Sequence, residues 1–240
     1  MIATYRVLSA ALSYPSENLQ SAADEMEEAL KADRLLPPAH IAAVSALIGD
    51  IAKTDLLDAQ SQYVELFDRT KSLSLHLFEH VHGESRDRGQ AMVSLLARYQ
   101  EAGLDVVGAE LPDFIPLFLE FLSILPANDA RAMLAEPAHI LAALAERLHA
   151  RKSHYAALFE ALVALSRVKP DAETLALLRE EKIEDPSDLV ALDAAWEETE
   201  VRFGPGDAAT DNCPRVSDML KKMDAPVEKS ASQTLPGTPS

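Results

Sequence analysis

Apolar residues recur three and four positions apart from one end of the chain to the other, whereas no stretch alternates apolar and polar residues with the β-branched enrichment of a strand. The pattern predicts an all-α protein. Helix-starting and helix-breaking signals punctuate the apolar segments: Pro15-Ser16, Pro37-Pro38, Thr54-Asp55, Ser85, Gly103, Pro112-Asp113, Pro126 with Asn128, Pro137, Ser153, Pro170-Asp171 and Pro186-Ser187. Pieces of that length form about ten short helices in a single-domain bundle.

Two segments show how the boundaries are read. Ser85 is suited to accept first-turn amides, Met92, Leu95, Leu96 and Tyr99 then make one apolar stripe, and Gly103 permits a left-handed stop. The following helix, read from Asp113, is apolar on nearly every side through Phe114, Leu117, Phe118, Phe121 and Leu122. Such a helix belongs at the centre of a bundle.

From Gly204 onward the character changes, with three of the eight glycines, five of the fourteen prolines and few large apolar residues. The reading is a helical domain over 1–203 and a disordered tail over 204–240. At 240 residues and 48% hydrophobic content the chain can bury a sizeable core without staples. Cys213 is the only cysteine, so neither an intramolecular disulfide nor a thiolate cluster can form, and a reducing, cytoplasmic setting is expected. Met1 to Leu12 carries Arg6 in mid-segment and is broken by Ser13-Tyr14-Pro15, which reads as a first helix and not as a signal peptide. The most apolar run, Phe114 to Leu125, is far shorter than the roughly 20 residues that span a bilayer.

Charge narrows the partners. Lys and Arg total 22 against 39 Asp and Glu, a formal charge of −17. The tail holds four basic and five acidic residues, so −16 belongs to the body. Such a balance repels nucleic acid and anionic lipid and favours a basic polypeptide, although it also simply keeps a protein dissolved.

The densest chemistry lies in Ser74 to Gln90, which holds three of the seven histidines. His76, Glu79 and His80 match the H-x-x-E-H spacing of inverted zinc peptidases, in which two imidazoles one turn apart hold the metal and the glutamate acts as base. No second motif supplies a third ligand, so no metal or cofactor is expected. Arg86 and Arg88 are more informative. Cations in a helix's first turn oppose the dipole and call for an acidic partner, with Glu79, Glu84, Asp87, Glu110 and Asp113 as candidates. The plain alternative is a charge network that fixes loop geometry.

The run Phe78-Glu79-His80-Val81-His82-Gly83-Glu84-Ser85-Arg86-Asp87-Arg88-Gly89-Gln90-Ala91-Met92 resembles the central signature of nitrate reductase delta subunits, the molybdenum-cofactor assembly chaperones related to the TorD and DmsD chaperones. Tyr63-Val64-Glu65-Leu66-Phe67-Asp68, Glu110-Leu111-Pro112-Asp113 with Pro116-Leu117-Phe118-Leu119-Glu120-Phe121-Leu122, and Asp193-Ala194-Ala195-Trp196-Glu197-Glu198 agree in content and order, over roughly residues 1–203. One departure is Phe114, where the family commonly has histidine.

The resemblance implies a chaperone without catalytic turnover. It would bind the N-terminal segment of the nitrate reductase alpha (molybdenum) subunit, hold the apo alpha-beta complex for cofactor insertion, and meet the proteins that make that cofactor. The expected mode is helix-in-groove capture, with apolar client side chains in a cleft and client cations on an acidic rim. The candidate client-binding residues are Tyr63, Phe67, Phe78, Glu79, His80, Glu84, Arg86, Asp87, Arg88, Glu110, Pro112, Asp113, Pro116 and Glu120. At helical spacing aromatics such as Tyr63, Phe67 and Phe78 are more often core filling than groove lining, and His80 is open to reading as a satisfied interior histidine or as a pH-sensitive client contact. Glu120, on an apolar helix, would need a cation if buried. A zinc metallopeptidase of the H-x-x-E-H type and a generic helical scaffold without a groove are the remaining alternatives.

Overall fold

A computed structural model describes residues 2–82, 86–106, 110–170 and 172–180, which all belong to one compact unit. Glu84, Ser85, the 1–203 boundary and the 204–240 tail lie outside the described residues, and of Arg86 and Asp87 only the backbone is described. Twelve α-helices occur among the described residues: α1 Ala3–Leu12, α2 Glu17–Ser21, α3 Ala23–Asp33, α4 Pro38–Lys53, α5 Leu56–Phe67, α6 Glu79–His82, α7 Arg86–Glu101, α8 Ile115–Ile124, α9 Ala127–Ala135, α10 Ala138–Ala150, α11 Ala156–Ser166 and α12 Ala172–Glu180. A 3-10 turn, Lys71–Leu73, follows α5, and β-structure among these residues is limited to one bridge, His76 with Phe114. The all-α reading holds.

The helix starts follow the capping chemistry of the sequence. Ser16 Oγ accepts the Leu19 N–H at 3.2 Å, and the Asp55 carboxylate accepts the Leu57 N–H at 3.0 Å. Prolines open α4, α9 and α10, where a missing N–H costs nothing. Gly103, at φ +78°, ends α7 and lets the Leu104 N–H close on the Tyr99 carbonyl at 2.9 Å. One expected start is corrected: α8 begins at Ile115, not Asp113, because Asp113 sits in the turn before it, its carbonyl accepting the Leu77 N–H and its carboxylate the Phe78 N–H, while Phe114 bridges His76.

The core is organised around α8, whose Ile115, Phe118, Leu119, Phe121 and Leu122 are buried. It packs on α1, where Leu8 and Leu12 are also buried. Each such side chain contributes about 1.5–3 kcal/mol of apolar transfer. Polar contacts fix the register: Ser9 Oγ donates to the Pro116 carbonyl at 2.8 Å, and the Ile2 N–H donates to the Ser123 carbonyl at 2.7 Å. α10 and α11 pack against each other, and α12 lies on α10. The buried Arg147 donates from Nη1 to the Ser72 carbonyl at 2.7 Å and from Nη2 to the Leu178 carbonyl at 2.5 Å, tying the 3-10 turn and α12 to α10. No helix among the described residues is long and apolar enough to cross a membrane.

Candidate functional site

After the 3-10 turn the chain passes through Ser74–His76, turns at Leu77-Phe78 where the Glu79 N–H closes on the His76 carbonyl at 3.2 Å, and pairs with the bend before α8. The Leu77 N–H donates to the Asp113 carbonyl at 3.0 Å, and the Ile115 N–H donates to the Leu75 carbonyl at 2.8 Å. The Asp113 side chain, fully buried, completes the junction by accepting the Phe78 N–H at 3.1 Å and bonding His76 Nδ1 at 3.1 Å. A carboxylate can only accept, so Nδ1 carries the proton. This hydrogen bond raises the His76 pKa above the ordinary histidine value, against the opposing effect of partial burial. Tyr99 seals the other side: its hydroxyl donates to the Pro112 carbonyl at 2.7 Å, and its ring lies 4.6 Å from that of Phe121. Burial, with the Asp113 charge adding, pushes the Tyr99 phenol well up.

This geometry locates the cations and histidines singled out in the sequence. Arg88 Nη2 donates to Glu79 Oε1 at 3.0 Å, so of the candidate partners Glu79 takes Arg88, while Asp113 is committed to His76 and Phe78. His80 Nε2 bonds the Ser74 carbonyl at 2.9 Å, making it a half-buried histidine with a backbone partner. His76 lies in the bridge to Phe114 and α6 starts only at Glu79, so His76 and His80 do not share a helical turn as the H-x-x-E-H motif requires. Among the described residues no group of three His, Cys, Asp or Glu side chains is placed to hold a metal. The ring of Phe114 lies 5.5 Å from His76, the residue it bridges.

Beside this junction opens an apolar groove of about 390 Å³. Leu77, Phe78 and Val81 form one end, α7 supplies Ala91, Ser94, Leu95 and Arg98, Phe118 of α8 lies in the lining, and the α9–α10 corner supplies Met133, Glu136, Pro137, His139 and Ile140. Thus the Ser74–Gln90 stretch and the helix after Asp113 share one depression. Of the sequence candidates, Phe78 lines it, and Glu79, His80, Arg88 and Asp113 support the segment that carries Phe78.

The other candidates sit elsewhere. Tyr63 and Phe67 are buried in an aromatic cluster with Tyr14 and Tyr155, and the Tyr63 hydroxyl donates to the Leu12 carbonyl at 3.0 Å. Pro112 and Pro116 offer their carbonyls to Tyr99 and Ser9. Glu110 is exposed, yet close enough to Tyr63 for its charge to add to the burial that raises the phenol. Glu120 is exposed as well, so the cost of burial that would demand a cation does not arise. Sequence reasoning missed most of the groove. Ala91, Ser94, Leu95 and Arg98 follow the three-and-four spacing of one helix face beside the apolar stripe, but the α9–α10 corner carries no sequence signal.

Comparison with known proteins bears on this arrangement. The family model described as nitrate reductase delta subunit matches residues 14–161. The nitrate reductase molybdenum cofactor assembly chaperone NarJ of Escherichia coli strain K12 is 47% identical over 210 residues, covering 85% of this chain and 87% of that protein. The probable chaperone of the same description, NarW, from that strain is 40% identical over 200 residues, with 82% of each chain covered. A probable NarJ of Bacillus subtilis strain 168 is 29% identical over 168 residues, covering 67% of this chain and 86% of that protein.

Proposed function

This chain belongs to the nitrate reductase delta subunit family, and on that premise we propose that it is a system-specific maturation chaperone that captures the N-terminal segment of the respiratory nitrate reductase catalytic subunit. It holds the apoenzyme in the cytoplasm while molybdenum cofactor is inserted and the complex assembles. The cofactor is cargo of the client, and the task calls for binding and release with no turnover.

The observation that carries this reading is the groove itself. An apolar trough walled by α7 and the α9–α10 corner, with Phe78 and the half-exposed Val81 at its end, is the receptor half of helix-in-groove recognition. A client helix sets apolar side chains at i, i+3, i+4 and i+7 into it, and its cations meet the acidic body. Glu79, His80, Arg88 and Asp113 contribute by holding the segment that carries Phe78 and Val81.

Calorimetric titration of the full chain with a synthetic peptide of the catalytic subunit's N-terminus tests this. Val81→Asp puts a charge on the groove wall at a position already 53% exposed, so the fold tolerates it. Affinity is expected to fall at least about tenfold, the equivalent of about 1.4 kcal/mol, with the helical circular dichroism unchanged. Unaltered affinity in a folded Val81→Asp variant removes the groove from the mechanism.

A further inference from the structure

The two walls of the groove end in opposite charges. On α7, Arg98 stands one turn beyond Leu95. On the facing wall, Glu136 closes α9 and His139 opens α10. Near the groove Arg88 is held by Glu79, and on other surfaces Arg179 pairs with Glu146 and Lys31 with Glu27. The side chains of Arg98, Glu136 and His139 make no hydrogen bond or ion pair with any described residue, although all three line the same cavity. The lower walls are apolar, through Leu77, Leu95, Phe118 and Ile140.

Resting on the reading of this groove as the client site, we infer that Arg98 and Glu136 select the charge pattern and the direction of the bound helix. A helix lying with its apolar stripe down has a left and a right flank, and turning it end for end exchanges them. A groove with like charges on both walls accepts either direction. Here the α7 wall offers a guanidinium and the α9 wall a carboxylate, so a client with acidic residues on one flank and basic residues on the other lies in one direction only. The client is therefore an amphipathic helix of mixed flanks, not a uniformly basic segment, and a wrong flank meets a like charge. The α7 wall from Ala91 to Arg98 is about 10 Å long, two helical turns, which matches three or four apolar anchors between the charged flanks.

The test uses the full chain and the synthetic N-terminal peptide bearing a nitroxide at its first residue. In the unaltered chain, broadening is expected at one end of the groove only, either at the Val81 methyls or at the Leu104 methyls just past the end of α7. In the doubly exchanged chain, Arg98→Glu with Glu136→Arg, it moves to the other end. The single variants Arg98→Glu and Glu136→Lys each weaken binding about three- to tenfold, as rim charges do, and the loss shrinks at high salt. Broadening at the same end in both chains, or single variants within twofold of the unaltered affinity, overturns the inference. If those results accompany loss of binding in Val81→Asp, the groove reading stands and only the directional claim falls. If Val81→Asp also binds normally, the groove reading falls with it.

Discussion

Replacing Asp113 by alanine probes the junction that builds the groove end. The carboxylate is fully buried and accepts two bonds, from the Phe78 N–H at 3.1 Å and from His76 Nδ1 at 3.1 Å. A hydrogen bond to a charged group contributes about 1.5–3 kcal/mol, and an orphaned, partly buried amide costs about 1–3 kcal/mol. His76 retains 26% side-chain exposure and recovers part of its loss by bonding water. The net expectation is a loss of about 2–4 kcal/mol. Urea denaturation followed by circular dichroism should lower the midpoint by roughly 1–2 M at unchanged slope. The effect also carries a pH signature. The folded-state pKa of His76 is raised, so the stability from its ion pair with Asp113 is fully present below the unfolded value of about 6.5 and is lost as pH rises through the folded value. Asp113→Ala is therefore more damaging on the acid side of that window than above it. A loss below about 0.5 kcal/mol, or one that grows with pH across the window, refutes the assignment.

Tyr99→Phe removes only the bond to the Pro112 carbonyl, so about 1 kcal/mol of stability should disappear in the same assay while peptide affinity stays within twofold. Tyr63→Ala empties the middle of the aromatic cluster and should cost about 3–5 kcal/mol, which as a core effect lowers the melting temperature with or without client. Arg147→Met leaves the Ser72 and Leu178 carbonyls without those donors, and hydrogen exchange should show α12 amides losing protection at least tenfold while α1 and α8 amides keep theirs. Peptide affinity measured from low to high salt should fall, because the client's cations meet a body of charge −16 in a chain of −17.

What the sequence made legible was local. Ser16, Asp55, Pro37-Pro38, Pro126 and Gly103 act on the nearest turn of backbone, and each ends or begins a helix where its chemistry says it should. The apolar surround of α8 made its burial equally plain. Asp113 was misread as a helix start because Pro112-Asp113 has the composition of a cap. The carboxylate instead faces a segment 35 residues earlier in sequence, an interaction no local pattern encodes. Glu120 failed for a related reason: a helix rich in apolar residues still presents one edge to solvent, and the periodicity did not say which. The groove was half visible. Phe78 and Val81 sit in the distinctive run, whereas Met133, Glu136, His139 and Ile140 come to the site only through the packing of the α9–α10 corner.

At the groove, on the proposed reading, pairing distinguishes charged residues that build the site from those left to meet a client. Asp113 and His76 satisfy each other, Arg88 bonds Glu79, and His80 bonds the Ser74 carbonyl. Their energy is committed to the loop whether or not a client is present. A residue spent in this way cannot also discriminate partners without first breaking an internal bond, which costs about as much as a new contact returns. Arg98 and Glu136 have no such bond to a described residue to break, so under the inferred role the free energy of meeting an opposite charge there would go into recognition. The distinctive run of the sequence thus supplies part of the groove lining, and the inferred selectivity would fall to rim side chains that no motif marks. Substitutions at Asp113 or Glu79, which hold the segment by internal bonds, should accordingly shift stability and affinity together, whereas substitutions at Arg98 or Glu136, like the exposed Val81, shift affinity alone.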